Sequence, residues 1–148
     1  MQTCLSREFA FALSDCARLL RTYSDHRARE LNMTRAQWAV LKTLERREGL
    51  KQSELAEALD LAPITLARLI DKLCESGLVE RRDDSADRRA NRLHLAPKAA
   101  PTLKRLNALG EDLLKRALRG VDAQSVAAMT EQLTTIKANL KAALQARD

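Results

Sequence analysis

Between Gln52 and Leu95 the apolar period of the chain changes once, at Gly77, and that change restricts the fold more than any other feature. Before Gly77 the spacing is helical, in two short pieces. The first spans about 52–59 and buries Leu55 and Leu59. The turn Asp60-Leu61-Ala62 leads to Pro63, whose fixed φ and missing N–H suit the first position of a helix. That second helix runs to Ser76, with Leu66, Leu69, Ile70 and Leu73 as its inner stripe. After Gly77 the chain reads as extended from Leu78 to Arg82. Arg92-Leu93-His94-Leu95 then alternates with period two, as a half-buried strand does. The polar run from Asp83 to Ala90 lies between them, which makes a β-hairpin with a long tip.

The flanking segments are helical. Leu5, Phe9, Leu13, Cys16, Leu20 and Tyr23 form one stripe in a helix over 5–30. After a break at Asn32-Met33, Thr34 and Gln37 make a capping box for a helix with Trp38, Leu41 and Leu44 inside and Gly49 as its stop. Pro97 and Pro101 belong near a helix start, so the next long helix is predicted to begin close to Pro101 and to end before Gly120. Asp122 caps the last helix, with Val126, Met129, Leu133, Ile136, Leu140 and Leu144 as its apolar face. Leu (26) and Ala (24) make up a third of the 148 residues, in keeping with a mainly α chain. The fold class expected is mainly α with a small β-hairpin wing: a winged helix-turn-helix with long N- and C-terminal helices.

Charge points to a polyanion. The net charge is +6, and 18 of the 26 cations are Arg. Two short helices and a basic hairpin suit DNA, because a recognition helix lays its N-terminal residues against base edges in the major groove. With the inner stripe buried, Ala62, Thr65 and Arg68 face outward beside Ile64. Arg68 can pair bidentately with guanine, Thr65 can reach a base or a phosphate, and Pro63 and Ile64 can touch thymine methyls. At the hairpin tip Arg88 and Arg89 suit an A·T-rich minor groove, with Asp87 holding an arginine in a fixed pose. Residues 79–92 hold five Arg but also Glu80, Asp83, Asp84 and Asp87, so the segment is nearly neutral and also reads as a solvated loop.

Several classes are set aside. No Ser/His/Asp order, Gly-rich phosphate loop or HExxH is present, so no enzyme is expected and no cofactor is implied. Cys4, Cys16 and Cys74 form no CxxC, and His26 and His94 lie far apart in sequence, so no metal site is expected. The longest uncharged run is far short of the roughly 20 apolar residues of a membrane span. The N-terminus lacks the charge order of a signal peptide, which predicts a cytoplasmic protein with no membrane partner.

The run Asp87 to Leu95 resembles the wing signature of the MarR family of transcription regulators. Gln52-Ser53-Glu54-Leu55-Ala56, the run Leu66 to Leu73, and Gly77-Leu78-Val79 resemble that family's helix-turn-helix. Asp25-His26-Arg27, Trp38, the run Ser85 to Ala90, and Lys98-Ala99 are similar to its SlyA-like branch. One departure is plain: Ala96 and Ala99 stand where the family has Thr and Gly, so the helix after the wing starts without a side-chain cap.

The resemblance implies one MarR-like domain over 1–148, with residues 34–96 as the winged DNA-binding region and 5–30 and 97–146 as dimerisation helices. It implies a homodimer on a pseudo-palindromic operator in double-stranded DNA. The terminal apolar stripes agree with that, although they can also be read as packing on each other within one chain. It further implies release by a small aromatic carboxylate, with Arg18, Arg21 and Trp38 as pocket residues; Trp38 as core and the two arginines as a solvated face is the competing reading. The same residues also admit a winged-helix adaptor that binds protein rather than DNA, and a regulator sensing thiol oxidation. Against the latter, Cys16 sits in the apolar stripe and Cys74 reads as core filler, where thiols are inert.

Overall fold

The computed structural model describes residues 2–86 and 91–146. Its elements run α1 (Gln2–Arg29), α2 (Arg35–Arg46), β1 (Leu50–Lys51), α3 (Gln52–Ala58), α4 (Pro63–Glu75), β2 (Val79–Asp83), β3 (Asn91–Leu95), α5 (Ala99–Ala117) and α6 (Ala123–Gln145). The fold is mainly helical with one small antiparallel sheet, as expected. The chain divides into two compact units, Met1–Leu113 and Leu114–Asp148.

In the first unit the core gathers around α2, α3, α4 and the sheet. Leu41, Leu44, Leu55, Leu66, Ile70, Leu73, Leu93 and Leu106 are all fully buried. Each contributes roughly 1.5–3 kcal/mol of hydrophobic transfer energy. Leu59 and Trp38 are only half-buried at its edge, and Leu69, expected inside, is half-buried away from it. The α2 capping box forms as expected, with Thr34 Oγ1 accepting from Gln37 N at 3.1 Å. The helix stops at Arg46 rather than Gly49. Gly49 instead takes φ +79° and turns the chain into β1.

That strand has no counterpart in the sequence reading. Two residues are too short for any period, and β1 exists because β3 offers it a partner. Leu50 pairs with Leu93 and Lys51 with Arg92, while Gly49 N donates to Leu93 O at 2.9 Å. The sheet order is β1-β3-β2, and β2 pairs with β3 from Val79↔Leu95 to Asp83↔Asn91.

The long helix after the wing begins at Ala99, two residues before Pro101. Proline is tolerated there because first-turn N–H groups have no helical acceptor. The missing cap at Ala96 is replaced by backbone: Ala99 N donates to Ala96 O at 2.8 Å, and Ala96 N ties back to Leu78 O at 3.0 Å. In α1 the stripe is mostly uncovered, with Leu5, Phe9, Leu13 and Leu20 exposed and Tyr23 half-buried. Cys16, expected to be buried within that stripe, is exposed with it.

In the second unit Asp122 caps α6 as expected, accepting from Ser125 N at 2.9 Å. No residue of α6 is buried, and Met129, Leu133, Leu140 and Leu144 are exposed. Among the described residues no helix is long and apolar enough to cross a membrane.

Candidate nucleic-acid interface

The turn between α3 and α4 is set by Asp60, which adopts φ +51°, a left-handed conformation that Asp tolerates better than most residues. Leu61 N then donates to Ala56 O at 2.9 Å, which closes the turn. Ala62 is the N-cap of α4 and makes no side-chain bond, with Pro63 at the first turn. The N–H groups of that turn are therefore left for an outside acceptor.

Helix α4 has two distinct faces. Leu66, Ile70 and Leu73 are buried, while Pro63, Ile64, Thr65 and Arg68 are exposed. Ile64 is 65% exposed. Thr65, Arg68, Leu69 and Lys72 line one shallow groove on this outer face. The structure thus brings together Thr65 and Arg68 from the sequence-predicted set and adds Lys72, whose spacing of four from Arg68 is helical.

The wing arginines behave differently. Arg81 Nη2 donates to Asp71 Oδ1 of α4 at 2.6 Å. Arg82 pairs with Glu80 and approaches His94 Nδ1 at 3.4 Å. Arg92 Nη1 donates to Gly49 O at 2.8 Å, and its Nη2 lies 3.0 Å from Asp84 Oδ2. All three are committed to the protein itself, which gives Glu80 and Asp84 of this near-neutral segment a structural role. Asp87, Arg88 and Arg89 lie outside the described residues.

Asp84 is the one buried charged residue among those described, 3% exposed. Its Oδ1 accepts from Ala86 N at 3.0 Å. That backbone bond lowers its pKa below the ordinary carboxylate value; burial opposes it, and Arg92 and then Lys51 add to the lowering. No sequence signal distinguishes Asp84 from Asp83, because its burial depends on strands distant in sequence. Lys98 is a second positioning group that local spacing does not reveal. Its Nζ donates to Ser76 O at 3.1 Å, at the C-terminus of α4, where a cation is favoured.

Of the effector residues, Arg18 is exposed and paired with Asp15 at 3.2 Å, and Arg21 is exposed. Trp38 packs against the core, and a Cβ at Gly110 would stand 3.5 Å from its ring. Burial raises the Cys74 thiol pKa, with the nearby Arg81 opposing. Among the described residues no group of His, Cys, Asp and Glu could hold a metal ion.

Comparison with known proteins agrees with this geometry. The MarR family model matches residues 33–90, from just before α2 to the wing. The solved structure of the transcriptional regulator PA3341 is 35% identical, with a TM-score of 0.82, and the match covers 90% of this chain and 98% of that one. Wild-type MarR in its apo form from E. coli is 26% identical, with a TM-score of 0.69 and coverage of 89% and 95%. The transcriptional regulator SlyA, at 23% identity, has a TM-score of 0.78 and coverage of 89% and 93%, a likeness of fold.

Proposed function

The chain belongs to the MarR family, and on that footing we propose that it is a sequence-specific, DNA-binding transcription regulator of the SlyA-like kind. One observation carries the reading: α4 buries one face completely and presents Ile64, Thr65, Arg68 and Lys72 on the other. A helix held this way is presented to a major groove, with Arg68 placed for guanine and Thr65 and Lys72 for base or phosphate. The uncapped first turn adds N–H donors for a phosphate. Pro63 and Ile64 supply apolar contact, and Arg88 and Arg89, oriented by Asp87, form the second contact at the wing.

Residues 34–96 are the DNA-binding region, and 5–30 and 97–146 are the dimerisation helices. The exposed apolar side chains of α1, and separately those of α6, support a second copy as partner. Such a dimer addresses two half-sites of a pseudo-palindrome. A small aromatic carboxylate releases it, with Arg18 and Arg21 pairing the carboxylate and Trp38 offering its ring.

Salt titration tests the reading. Binding to a duplex enriched from a random pool is expected to weaken about a thousandfold between about 50 and 200 mM salt, as counterion release from six or more phosphates requires. Absent or salt-insensitive binding would point instead to a protein partner.

A further inference from the structure

The sheet register sets three cations side by side. Lys51 of β1 pairs with Arg92 of β3, which pairs in turn with Arg82 of β2. Like charges directly opposite one another across strands repel. Two carboxylates neutralise the row, and they do so differently. Glu80 meets Arg82 at the surface, whereas Asp84 is buried and faces the other two. Its Oδ2 lies 3.0 Å from Arg92 Nη2 and 3.7 Å from Lys51 Nζ. Asp84 follows directly on β2. Lys51 directly precedes α3, and its backbone N–H is held by Glu54 at 2.8 Å. One carboxylate therefore joins both edges of the wing base to the start of the helix-turn-helix.

We propose, resting on the DNA-binding reading above, that Asp84 is a positioning residue for DNA recognition: shared by Lys51 and Arg92, its carboxylate holds the base of the wing, β2 and β3, against β1 and the start of α3. A wing base held by this contact stands at a fixed place relative to the helix-turn-helix. Without the carboxylate, Lys51 and Arg92 repel, and the wing base loosens while the total positive charge rises.

This gives the test a sign that plain electrostatics does not share. Removing an acid from a DNA-binding surface strengthens binding to any duplex. Removing a positioning acid weakens the selected duplex and leaves the scrambled one as tight or tighter. Wild type and Asp84→Asn are compared by fluorescence anisotropy on a duplex enriched by the wild type from a random pool, and on a scrambled duplex of equal composition. The expected result is a fall of about tenfold or more in the ratio of the two affinities, equivalent to about 1.4 kcal/mol. An unchanged ratio, or an equal gain on both duplexes, overturns the proposal.

If Asp84→Asn loses cooperative unfolding, Lys51→Met takes its place. A fall in the ratio is again expected, and a uniform loss on both duplexes overturns the idea. A wild type that prefers no duplex sinks the DNA-binding reading itself, which is recognised before any variant is made.

Discussion

Arg81 on β2 reaches across to Asp71 on α4, with Nη2 and Oδ1 2.6 Å apart, and so ties the wing strand to that helix. The same guanidinium approaches Cys74 Sγ at 3.8 Å. Arg81 is thus occupied within the protein. Both side chains retain solvent access, at 32% and 58%, so the pair is a modest contributor to stability. A double-mutant cycle with Arg81→Ala and Asp71→Ala, read by urea unfolding, should give a coupling of about 0.2–1 kcal/mol. A coupling near zero would mean that the pair does not persist in solution.

Arg68 shows the opposite behaviour. It is exposed on the outer face of α4 and shares its groove with Thr65 and Lys72. Arg68→Ala should weaken a selected duplex by about 1–3 kcal/mol and relax the preference at one base position. The unfolding midpoint should move by less than about 0.5 kcal/mol equivalent. Loss of binding accompanied by loss of fold would assign Arg68 to the scaffold instead.

Leu93 lies at the centre of the sheet, fully buried and paired with both Leu50 and Arg81. Leu93→Ala leaves a cavity in the core beneath the sheet, and should cost about 2–5 kcal/mol in chemical denaturation. The exposed Leu133 on α6 serves as the contrast. In dilute protein Leu133→Ala should leave the unfolding midpoint of the isolated chain almost unchanged, while dimer dissociation followed by analytical ultracentrifugation shifts to higher concentration. A variant that dimerises as tightly as wild type would remove that helix face from the interface.

Thr34 starts α2 through a reciprocal cap, and Gln37 Oε1 accepts from Thr34 N at 2.9 Å. Thr34→Ala should destabilise by about 1 kcal/mol, and Thr34→Ser by much less, because the hydroxyl rather than the methyl makes the bond. Equal losses in the two variants, measured by thermal unfolding, would contradict the capping role.

The pH dependence of stability follows from two carboxylates held below the usual range. Asp122 accepts from the Ser125 hydroxyl at 2.7 Å, the larger cause, and from Ser125 N at 2.9 Å. Asp84 is lowered chiefly by Ala86 N–H, with Arg92 adding to it against the cost of burial. A depressed pKa in the folded state gives stability that is complete above the unfolded value of about 4 and is lost as pH falls through and below it. Urea midpoints should therefore hold steady from pH 7 to about pH 5 with respect to these groups and fall at lower pH. Asp122→Asn should flatten part of that fall; an unchanged acid slope would show that Asp122 contributes nothing to it.

Elements that depend on near neighbours are legible in the residues alone. The 3–4 spacing of Leu66, Ile70 and Leu73 on the inner face of α4, the Thr34–Gln37 box, Pro63 at the start of α4 and Asp122 at the start of α6 all act within a turn or two of helix, and stand where expected, whereas Leu69, expected inside, lies at the outer groove. The outward face of α4 follows from the same spacing, which is enough to single out Thr65 and Arg68. What tertiary structure decided lies between segments far apart in the chain. β1 forms only because β3 pairs with it, Asp84 is buried beside Lys51 and Arg92, and Arg81, still partly open to solvent, is paired with Asp71. Residue type and local spacing are the same whether a charge on a polar run faces water or another strand; the difference arises when distant backbone segments come within about 3 Å of each other and exchange hydration for a partner.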